Sequence, residues 1–285
     1  KLNFYVKNGE EFEFAMMFTE ELKQAPTVTI AGRNLEMTLN EKVKAEESKY
    51  LYEGTFIIPA EEAELAEGTL EIKVSNIVDF AGNVMEDNIQ TPTSNGRIVI
   101  YDKTNPEATK VLIQNNTEPG ASQTHAKEGS KIWVYAVFNE KLSVEPEFTI
   151  AGQKATIVQR ENGEDKNQTW YKYAAEVVMT EDMEEGNIPF TISGYKDLAG
   201  NEGAKVEKTT DGSNIIFDKT NPTVTLKDAR GKVLESNKIY SFDVYAYIED
   251  DSDCTILLNG EEYKNGSKIW ERQEHELVVT DAAGN

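Results

Sequence analysis

Apolar and polar side chains alternate along several short segments of this chain. In residues 12–18 (FEFAMMF) and 132–138 (IWVYAVF) every second side chain is apolar. The same alternation runs through residues 50–56, 70–74 and 171–177. Successive side chains of a β-strand point to opposite faces, so this period predicts half-buried strands.

Clusters of Gly, Asn, Asp and Pro separate these predicted strands. Short strands with turn residues between them are typical of an antiparallel β-sandwich whose two sheets pack on alternate side chains. The best candidate for helix is a turn or two within Glu61–Glu67. The pattern therefore predicts an all-β fold class.

A long internal repeat organises the chain. Residues Asn8–Gly32 (NGEEFEFAMMFTEELKQAPTVTIAG) align without a gap with Glu128–Gly152 (EGSKIWVYAVFNEKLSVEPEFTIAG). A shorter third copy starts near Asn237–Asp251 (NKIYSFDVYAYIEDD). Repeats of this length indicate consecutive copies of one structural unit.

Two short motifs follow each long copy in a fixed order. The D-x-A-G-N motif occurs at Asp79–Asn83, Asp197–Asn201 and Asp281–Asn285, and the D-K-T-N-P joint occurs within Tyr101–Pro106 and Phe217–Pro222. Proline ends a strand because it has no N–H for the ladder, so we place domain boundaries at these joints. The expected domains are residues 1–103, 104–219 and 220–285. We expect two complete or nearly complete sandwiches and a shorter third, with the first strand of domain 1 and the last strand of domain 3 missing.

Charge and cysteine content narrow the function classes. The chain has 29 Lys and Arg against 51 Asp and Glu, a net charge of -22. Such a chain repels the phosphates of nucleic acids and anionic lipids, so neither is an expected partner, and no apolar run is long enough to span a bilayer. Cys254 is the only cysteine and excludes an internal disulfide.

The ordered set of D-x-A-G-N, a closing strand and a D-x-T-x-P joint resembles bacterial immunoglobulin-like (Big-type) repeats of Gram-positive secreted or wall-attached proteins. The resemblance covers nearly the whole chain. It implies tandem immunoglobulin-like sandwiches at the cell surface or cell wall, in a stalk, an adhesin or an accessory segment of a longer protein. Fold-level likeness does not by itself fix an activity.

Catalytic motifs are absent from the sequence. His125 and His275 are the only histidines and fall in different repeats. No nucleophile elbow, zinc-binding helix motif, phosphate loop or dinucleotide fingerprint occurs. We therefore predict that the chain is not an enzyme.

The D-x-A-G-N motif has a structural and a functional interpretation. Gly supplies the positive φ of a tight turn, and the Asp side chain can accept hydrogen bonds from nearby backbone N–H groups. The alternative is calcium held at the domain joints, since carboxylate and amide oxygens are its ligands. The candidate calcium ligands are Asp79, Asn83, Asp102, Asp197, Asn201 and Asp218. Lys103 and Lys219 within the joints count against a cation, and we expect no other cofactor.

Aromatic side chains mark the predicted outer face of the second domain. If residues 131–138 and 169–178 are neighbouring strands, then Trp133, Tyr135 and Trp170 lie together opposite the core. An exposed aromatic surface can stack on sugar rings or anchor a protein partner. The plainer interpretation is that another strand, a loop or a neighbouring domain covers the rings. The equivalent positions in the first copy are Glu13, Ala15 and Leu51.

The sequence thus favours a non-catalytic, extracellular stalk or spacer that is monomeric and belongs to a bacterial surface protein or adhesin. One alternative is a binding module for a glycan or a host or cell-surface protein, acting through the aromatic face. Another is an accessory region of a secreted hydrolase whose catalytic domain lies outside this chain.

Overall fold

The computed structural model describes residues 2–47, 49–60, 65–165, 168–269 and 273–285. In these residues the protein is nearly all β, with a single short helix. The first group of elements is β1 (Leu2–Val6), β2 (Glu11–Phe18), β3 (Thr27–Ile30), β4 (Arg33–Leu35), β5 (Thr38–Leu39), α1 (Glu41–Glu47), β6 (Tyr50–Ile57), β7 (Gly68–Thr69), β8 (Ile72–Ser75), β9 (Ile77–Val78), β10 (Val84–Met85), β11 (Asn88–Ile89) and β12 (Arg97–Tyr101).

The second group follows the first joint. Its strands are β13 (Ala108–Asn115), β14 (His125–Ala126), β15 (Lys131–Phe138), β16 (Leu142–Val144), β17 (Glu147–Ile150), β18 (Gln153–Lys154), β19 (Thr156–Asp165), β20 (Gln168–Val178), β21 (Gly186–Asn187), β22 (Phe190–Ser193), β23 (Lys196–Asp197) and β24 (Ile216–Phe217). The third group is β25 (Thr223–Asp228), β26 (Val233–Leu234), β27 (Val244–Glu249), β28 (Thr255–Leu258), β29 (Glu261–Glu262), β30 (Lys268–Ile269) and β31 (Leu277–Thr280).

The chain folds into two compact units. Unit 1 comprises Lys1–Pro106, Lys141–Glu145 and Tyr195–Ala204. Unit 2 comprises Glu107–Glu140, Pro146–Gly194 and Lys205–Asn285. In the described residues, each strand pairs only with strands of its own group among the three groups above. The division into three domains at residues 103/104 and 219/220 stays a prediction, because compact packing places β16, β23 and the second D-x-A-G-N loop in unit 1.

Unit 1 is a sandwich of antiparallel sheets. One sheet has the order β2-β6-β5, another has the order β11-β8-β3-β4, and β1 joins β12 in parallel beside β7. Side chains from all three form one core, in which Val28, Ile30, Ile58 and Ile72 are at most 2% exposed. The predicted alternation is confirmed at Leu70, Ile72 and Val74, which are all buried.

Unit 2 repeats this arrangement and adds the third group. Its main sheet has the order β13-β15-β20-β19, and β14 pairs in parallel with β24 as β1 does with β12. The inward side chains of β15 (Ile132, Val134, Ala136 and Phe138) are all fully buried at 0% exposure. In the third group β26-β25-β27-β30 and β29-β28-β31 enclose a smaller core, which Cys254 contacts.

A tight turn sets the register of one hairpin in every copy. Its two central residues, Ala31–Gly32, Ala151–Gly152 and Asn259–Gly260, all have positive φ. Two successive positive φ angles define the type I′ turn, whose twist matches that of the strands it joins. Alanine is unusual in this conformation, because its Cβ approaches the following carbonyl.

One sequence expectation, the position of the helix, needs correction. The described helix is α1 at Glu41–Glu47; the expected turn at Glu61–Glu67 lies partly outside the described residues, and residues 65–67 are not helical. The expectation that the first strand of domain 1 is missing stays a prediction: β1 precedes β2, but β1 pairs with β12 as β14 pairs with β24, and so it holds the position of β14. Among the described residues of unit 1, no strand pairs with β2 in the way that β13 pairs with β15.

No described helix has the length and apolar character needed to cross a membrane.

Candidate functional site

The D-x-A-G-N loop is closed by its own Asp and Asn side chains. In the first copy Asp79 accepts the backbone N–H of Asn83 at 2.7 Å and its side-chain amide at 2.6 Å. Gly82 has a φ of 90°, which the turn requires. The second copy forms the same two bonds between Asp197 and Asn201, at 2.9 and 2.7 Å. The expected capping role of the Asp side chain is therefore confirmed.

In unit 1 the second copy of this loop is hydrogen-bonded to the first joint. The Asn201 amide donates to the backbone carbonyl of Asp102 at 3.1 Å. The Lys7 ammonium group donates to the carbonyl of Gly200 at 2.6 Å. Asp197 is 0% exposed and Asn201 is 9% exposed, so these two side chains of the loop are buried, while both bonds to the joint region are partly buried. We call these two bonds the joint lock.

In unit 2 the third copy of the loop forms the same lock on the second joint. The Asn285 amide donates to the carbonyl of Asp218 at 2.9 Å, and Lys127 donates to the carbonyl of Gly284 at 2.5 Å. Lys127 holds the repeat position of Lys7. The two locks therefore use equivalent residues in two separate places, which indicates a built feature of the repeat.

A glutamate holds each joint from its own repeat. Glu67 accepts the backbone N–H of Lys103 at 2.8 Å and the hydroxyl of Thr104 at 2.7 Å. These bonds, led by the one from Thr104, lower the pKa of Glu67 below its usual value. Lys103 of the joint motif thus donates its backbone N–H to a glutamate of the same repeat.

The second joint has the same contact. Glu185 accepts the backbone N–H of Lys219 and the hydroxyl of Thr220, both at 2.8 Å. Its pKa is lowered by the bond from Lys219 first and the bond from Thr220 second. Sequence reasoning missed both glutamates and both lock lysines. The signals that could have found them are the Glu-Gly pairs at Glu67 and Glu185 and the lysine shared by the aligned copies.

The first D-x-A-G-N loop presents a different surface. Phe80, its second residue, is 71% exposed. In the described residues, Asn83 bonds only within its own loop. The equivalent Asn201 and Asn285 each also reach a joint carbonyl. The first loop thus keeps the internal turn geometry without a lock.

Acidic side chains meet beside the second joint, inside unit 2. Carboxylate oxygens of Asp218, Asp250 and Asp281 lie within 4.8 Å of one another. Burial raises the pKa of Asp218, and the charges of Asp281 and Asp250 raise it further. Of these three residues only Asp218 was among the predicted ligands. Asp250 follows β27, which holds the same repeat position as β15, and Asp281 belongs to the third D-x-A-G-N motif.

These three carboxylates fit part of a calcium site. Calcium takes six to eight oxygen ligands and favours carboxylates. Asp281, however, already accepts backbone N–H groups of Ala283, Gly284 and Asn285, with Asn285 also donating its amide. In unit 1, burial and the charge of Asp197 raise the pKa of Asp102.

The aromatic side chains of β15 and β20 flank a shallow groove of about 560 Å³ in unit 2. Tyr135 and Trp170 contribute to its wall, while Trp133 does not. Leu112, Val137, Lys110, Lys172 and Gln114 complete the lining. The structure thus brings two of the three predicted ring residues into one groove.

Contacts on this face partly cover the rings. The Trp133 indole donates to Glu176 at 2.6 Å, and its ring lies 5.7 Å from that of Tyr135. The Lys172 ammonium group is 5.0 Å from the centre of the Tyr135 ring. Burial raises the pKa of Tyr135, partly offset by the hydrogen bond that Asn116 donates.

The register corrects one assignment on this face. Phe18 pairs with Tyr50 in the first copy, and Phe138 pairs with Tyr171 in the second. The first-copy equivalent of Trp170 is therefore Lys49, and the expected match to Leu51 is wrong by two residues. Trp170 itself packs over Gly163, its partner on β19, where any Cβ would lie 2.5 Å from the ring.

Both histidines contact side chains close to them. His125, the first residue of β14, has its Nδ1 atom 3.0 Å from the hydroxyl of Thr124, which precedes the strand. His275 Nδ1 lies 3.0 Å from the Asn259 amide beside the β28–β29 turn.

Comparisons with known proteins identify similar folds. No family model matches the chain, and no curated protein matches it. An I-band fragment of titin is similar at 9% identity and TM-score 0.43, over 88% of this chain and 91% of that one. The full ectodomain of mouse nectin-like molecule 4 is similar at 8% identity and TM-score 0.35, over 99% and 88% of the two chains. An ectodomain fragment of ICAM-5 is similar at 11% identity and TM-score 0.37, over 97% and 72%.

The class of protein follows from the strand topology described above. The chain is a tandem array of immunoglobulin-like β-sandwiches.

Proposed function

We propose that the chain is a non-catalytic spacer segment of an extracellular bacterial surface protein. The observation that carries this proposal is the joint lock, which occurs once in each unit with equivalent residues. A spacer needs joints that resist bending, since otherwise its length is not defined. The placement at a bacterial cell surface rests on the resemblance of the repeat motifs.

Each joint is held from two directions. Glu185 binds the backbone of Lys219 from within its own repeat, while Asn285 binds the carbonyl of Asp218 from the following repeat. Lys127 adds a charged hydrogen bond to Gly284. Charge-assisted hydrogen bonds are roughly twice as strong as neutral ones. Because these bonds hold the joint on both sides, its backbone has fewer accessible conformations than a linker restricted by proline alone.

The spacer role can be tested within unit 2 by a distance distribution. Spin labels are placed on cysteines at the exposed positions Lys154 and Glu261, with Cys254→Ser removing the native thiol. We expect a single narrow distribution from pulsed dipolar spectroscopy. Lys127→Met combined with Asn285→Ala should broaden it.

The matched control is Asn83→Ala, which removes the same loop amide where no joint bond exists. It should leave the distribution unchanged. A broad distribution in the unmodified joint, or equal broadening by the control, would contradict a stiff spacer.

We also propose calcium at the second joint, one of the joints where the sequence motifs predict it. The proximity of Asp218, Asp250 and Asp281 supports it. Burial, followed by the charges of Asp281 and Asp250, raises the pKa of Asp218, and a bound cation would offset the repulsion among the three carboxylates. A ligand that binds only the native state raises the unfolding midpoint with its concentration. We expect calcium titration to raise the midpoint of the wild-type chain more than that of Asp250→Asn. If calcium does not raise the unfolding midpoint, the calcium proposal is wrong, and the three carboxylates serve only as hydrogen-bond acceptors near the joint.

A second candidate function is carbohydrate binding in the groove beside Trp170. Aromatic faces stack on sugar rings, and Gln114 and Lys110 provide donors for hydroxyl groups. The probes are soluble cello- and chito-oligosaccharides, and binding is followed by calorimetry. Trp170→Ala should abolish binding, while Trp133→Phe is the control, since Trp133 does not line the groove. Equal loss in both variants, or no heat from any probe, would contradict this role.

A further inference from the structure

The groove of unit 2 that Tyr135 and Trp170 line carries a charge opposite to that of the whole protein. Two of its lining side chains are Lys110 and Lys172, and among the described residues none of the side chains that line it is acidic. The chain as a whole has 51 acidic residues against 29 basic ones. The lining of this groove is therefore suited to a ligand that carries a negative charge.

The strand register places the two lysines on either side of one apolar residue. Val137 of β15 pairs with Lys110 of β13 on one side and with Lys172 of β20 on the other. Neighbouring strands lie about 4.8 Å apart, so the two lysine backbones are roughly 10 Å apart across Val137. Each lysine has a flexible four-carbon stem, so a single negative group above Val137 is within reach of both ammonium groups.

Aromatic and aliphatic side chains line the groove beside the lysines. Tyr135 lies opposite Leu112, and both contribute to the lining. The ring of Trp170 packs over Gly163, where an added Cβ would lie 2.5 Å from it. The indole position is therefore set by the strand beside it. Rings of this kind offer an apolar face on which a pyranose ring can stack.

Lys172 retains bonding capacity for a ligand. Its ammonium group lies 3.6 Å from a carboxylate oxygen of Glu161, and the two side chains are 27% and 48% exposed. An ion pair this open to solvent contributes little to stability. An ammonium group has three N–H donors, so a ligand carboxylate can bind Lys172 without the loss of a strong contact.

The first copy of the repeat lacks this chemistry at the equivalent positions. Where the second copy has Tyr135 and Lys172, the first copy has Ala15 and Leu51. The fold therefore requires neither a ring nor a positive charge at these two positions. A ligand of the second copy accounts for residues that the fold alone does not.

We propose that this groove binds an acidic glycan, with a sugar carboxylate between Lys110 and Lys172 and the sugar ring against Trp170. The proposal rests on the carbohydrate-binding function proposed above and adds the class of sugar. Hexuronic acids and sialic acids share the required chemistry, a pyranose ring that carries a carboxylate. The attraction is local to the groove, because the net charge of -22 repels anions from the chain as a whole.

Calorimetry with matched pairs of probes tests the role of the charge. One pair is tetragalacturonate and its methyl ester, and the other is sialyllactose and its methyl ester. At about 0.15 M salt, where the Debye length is about 8 Å, distant charges are largely screened. In at least one pair we expect the acid to bind roughly tenfold tighter than its ester or more, because charge-assisted hydrogen bonds are the stronger ones. The pair that shows this difference identifies the source of the carboxylate.

Three variants locate the effect in the groove. Lys110→Gln keeps a hydrogen-bond donor and removes the charge, so the acid should bind roughly tenfold more weakly while the ester binds as before. Glu161→Gln removes the carboxylate that competes for Lys172, so the acid should bind roughly two- to fivefold more tightly. The matched control is Lys154→Gln, which removes the charge of a lysine 80% exposed outside the groove and should change neither affinity.

Three results would overturn the proposal. One is equal binding of acid and ester in both pairs, which would leave carbohydrate binding intact with a neutral sugar as the ligand. Another is equal weakening by Lys110→Gln and Lys154→Gln, which would indicate nonspecific attraction between charges. The third is no binding of any probe, acidic or neutral, which would remove the carbohydrate-binding function as well.

Discussion

Replacing Asn201 by Ala removes one half of the joint lock in unit 1. The side-chain amide of Asn201 makes two bonds, one to the Asp102 carbonyl at 3.1 Å and one to Asp197 at 2.7 Å. A bond to a neutral acceptor contributes about 0.5–1.5 kcal/mol, and a bond to a charged group about 1.5–3 kcal/mol. The variant should therefore lose roughly 2–4.5 kcal/mol of local stability.

The control Asn83→Ala separates these two contributions. Asn83 makes the bond within its loop, at 2.6 Å to Asp79, without the bond to a joint. Only Asn201→Ala should thus release the first joint. The neutral bond of about 0.5–1.5 kcal/mol corresponds to a factor of roughly 2 to 13 in the opening equilibrium.

Trypsin cleavage after Lys103, followed by mass spectrometry, measures this opening. Cleavage should be faster by that factor in Asn201→Ala and unchanged in Asn83→Ala, while cleavage after Lys219 serves as a reference in both. Equal rates after Lys103 in the wild type and in Asn201→Ala would refute the reasoning that the amide restrains the joint.

Three further predictions concern single positions. Gly203→Ala should destabilise the protein by about 1–3 kcal/mol in urea unfolding, because its Cβ would lie 1.8 Å from the buried ring of Tyr195; an unchanged midpoint would contradict this contact. Ala151→Asn should raise stability by about 0.5–1 kcal/mol, because Asn tolerates the φ of 49° better, and a loss of stability in thermal unfolding would disprove the assignment of strain. The pKa of Glu185 is lowered from its ordinary 4.5 by the hydrogen bond from the Lys219 backbone first and the one from the Thr220 hydroxyl second. The contribution of Glu185 to stability is therefore present above pH 4.5 and is lost as the pH falls through the folded-state pKa. The stability difference between wild type and Glu185→Gln should accordingly shrink below pH 4.5, and a difference independent of pH would contradict it.

The period-two pattern predicted the strands well because burial enforces alternation. Ile132, Val134 and Phe138 follow the pattern, and all three are fully buried in a two-layer fold. The D-x-A-G-N turn was also predictable, since its Asp and Asn side chains bond locally within five residues. Local chemistry of this kind is present in the sequence itself.

The joint lock could not be predicted in the same way. Asn201 and Asp102 are 99 residues apart, and Lys7 and Gly200 are 193 residues apart. No local preference records such contacts, because they arise only when the fold brings a loop to a joint. Asp250 and Asp281, whose carboxylates lie beside Asp218 at the second joint, were not predicted as ligands for the same reason.

The aromatic face was predicted in part. Alternation placed Trp133 and Tyr135 on the face opposite the core, as the structure has them. The pairing register of β15 and β20 determines which aromatic rings line the same groove. The alternation of apolar and polar residues does not specify that register. Trp133 turned towards Glu176 and away from the groove as a result.

Hydrogen exchange at the joints tests the central claim most directly. The backbone N–H groups of Lys103 and Thr104 bond to Glu67 and Asp102, and those of Lys219 and Thr220 bond to Glu185 and Asp218. In the wild-type chain we predict that all four amides exchange at least about tenfold more slowly than in an unstructured peptide. Exchange at the unstructured rate in both joints would contradict the account of a spacer with locked joints.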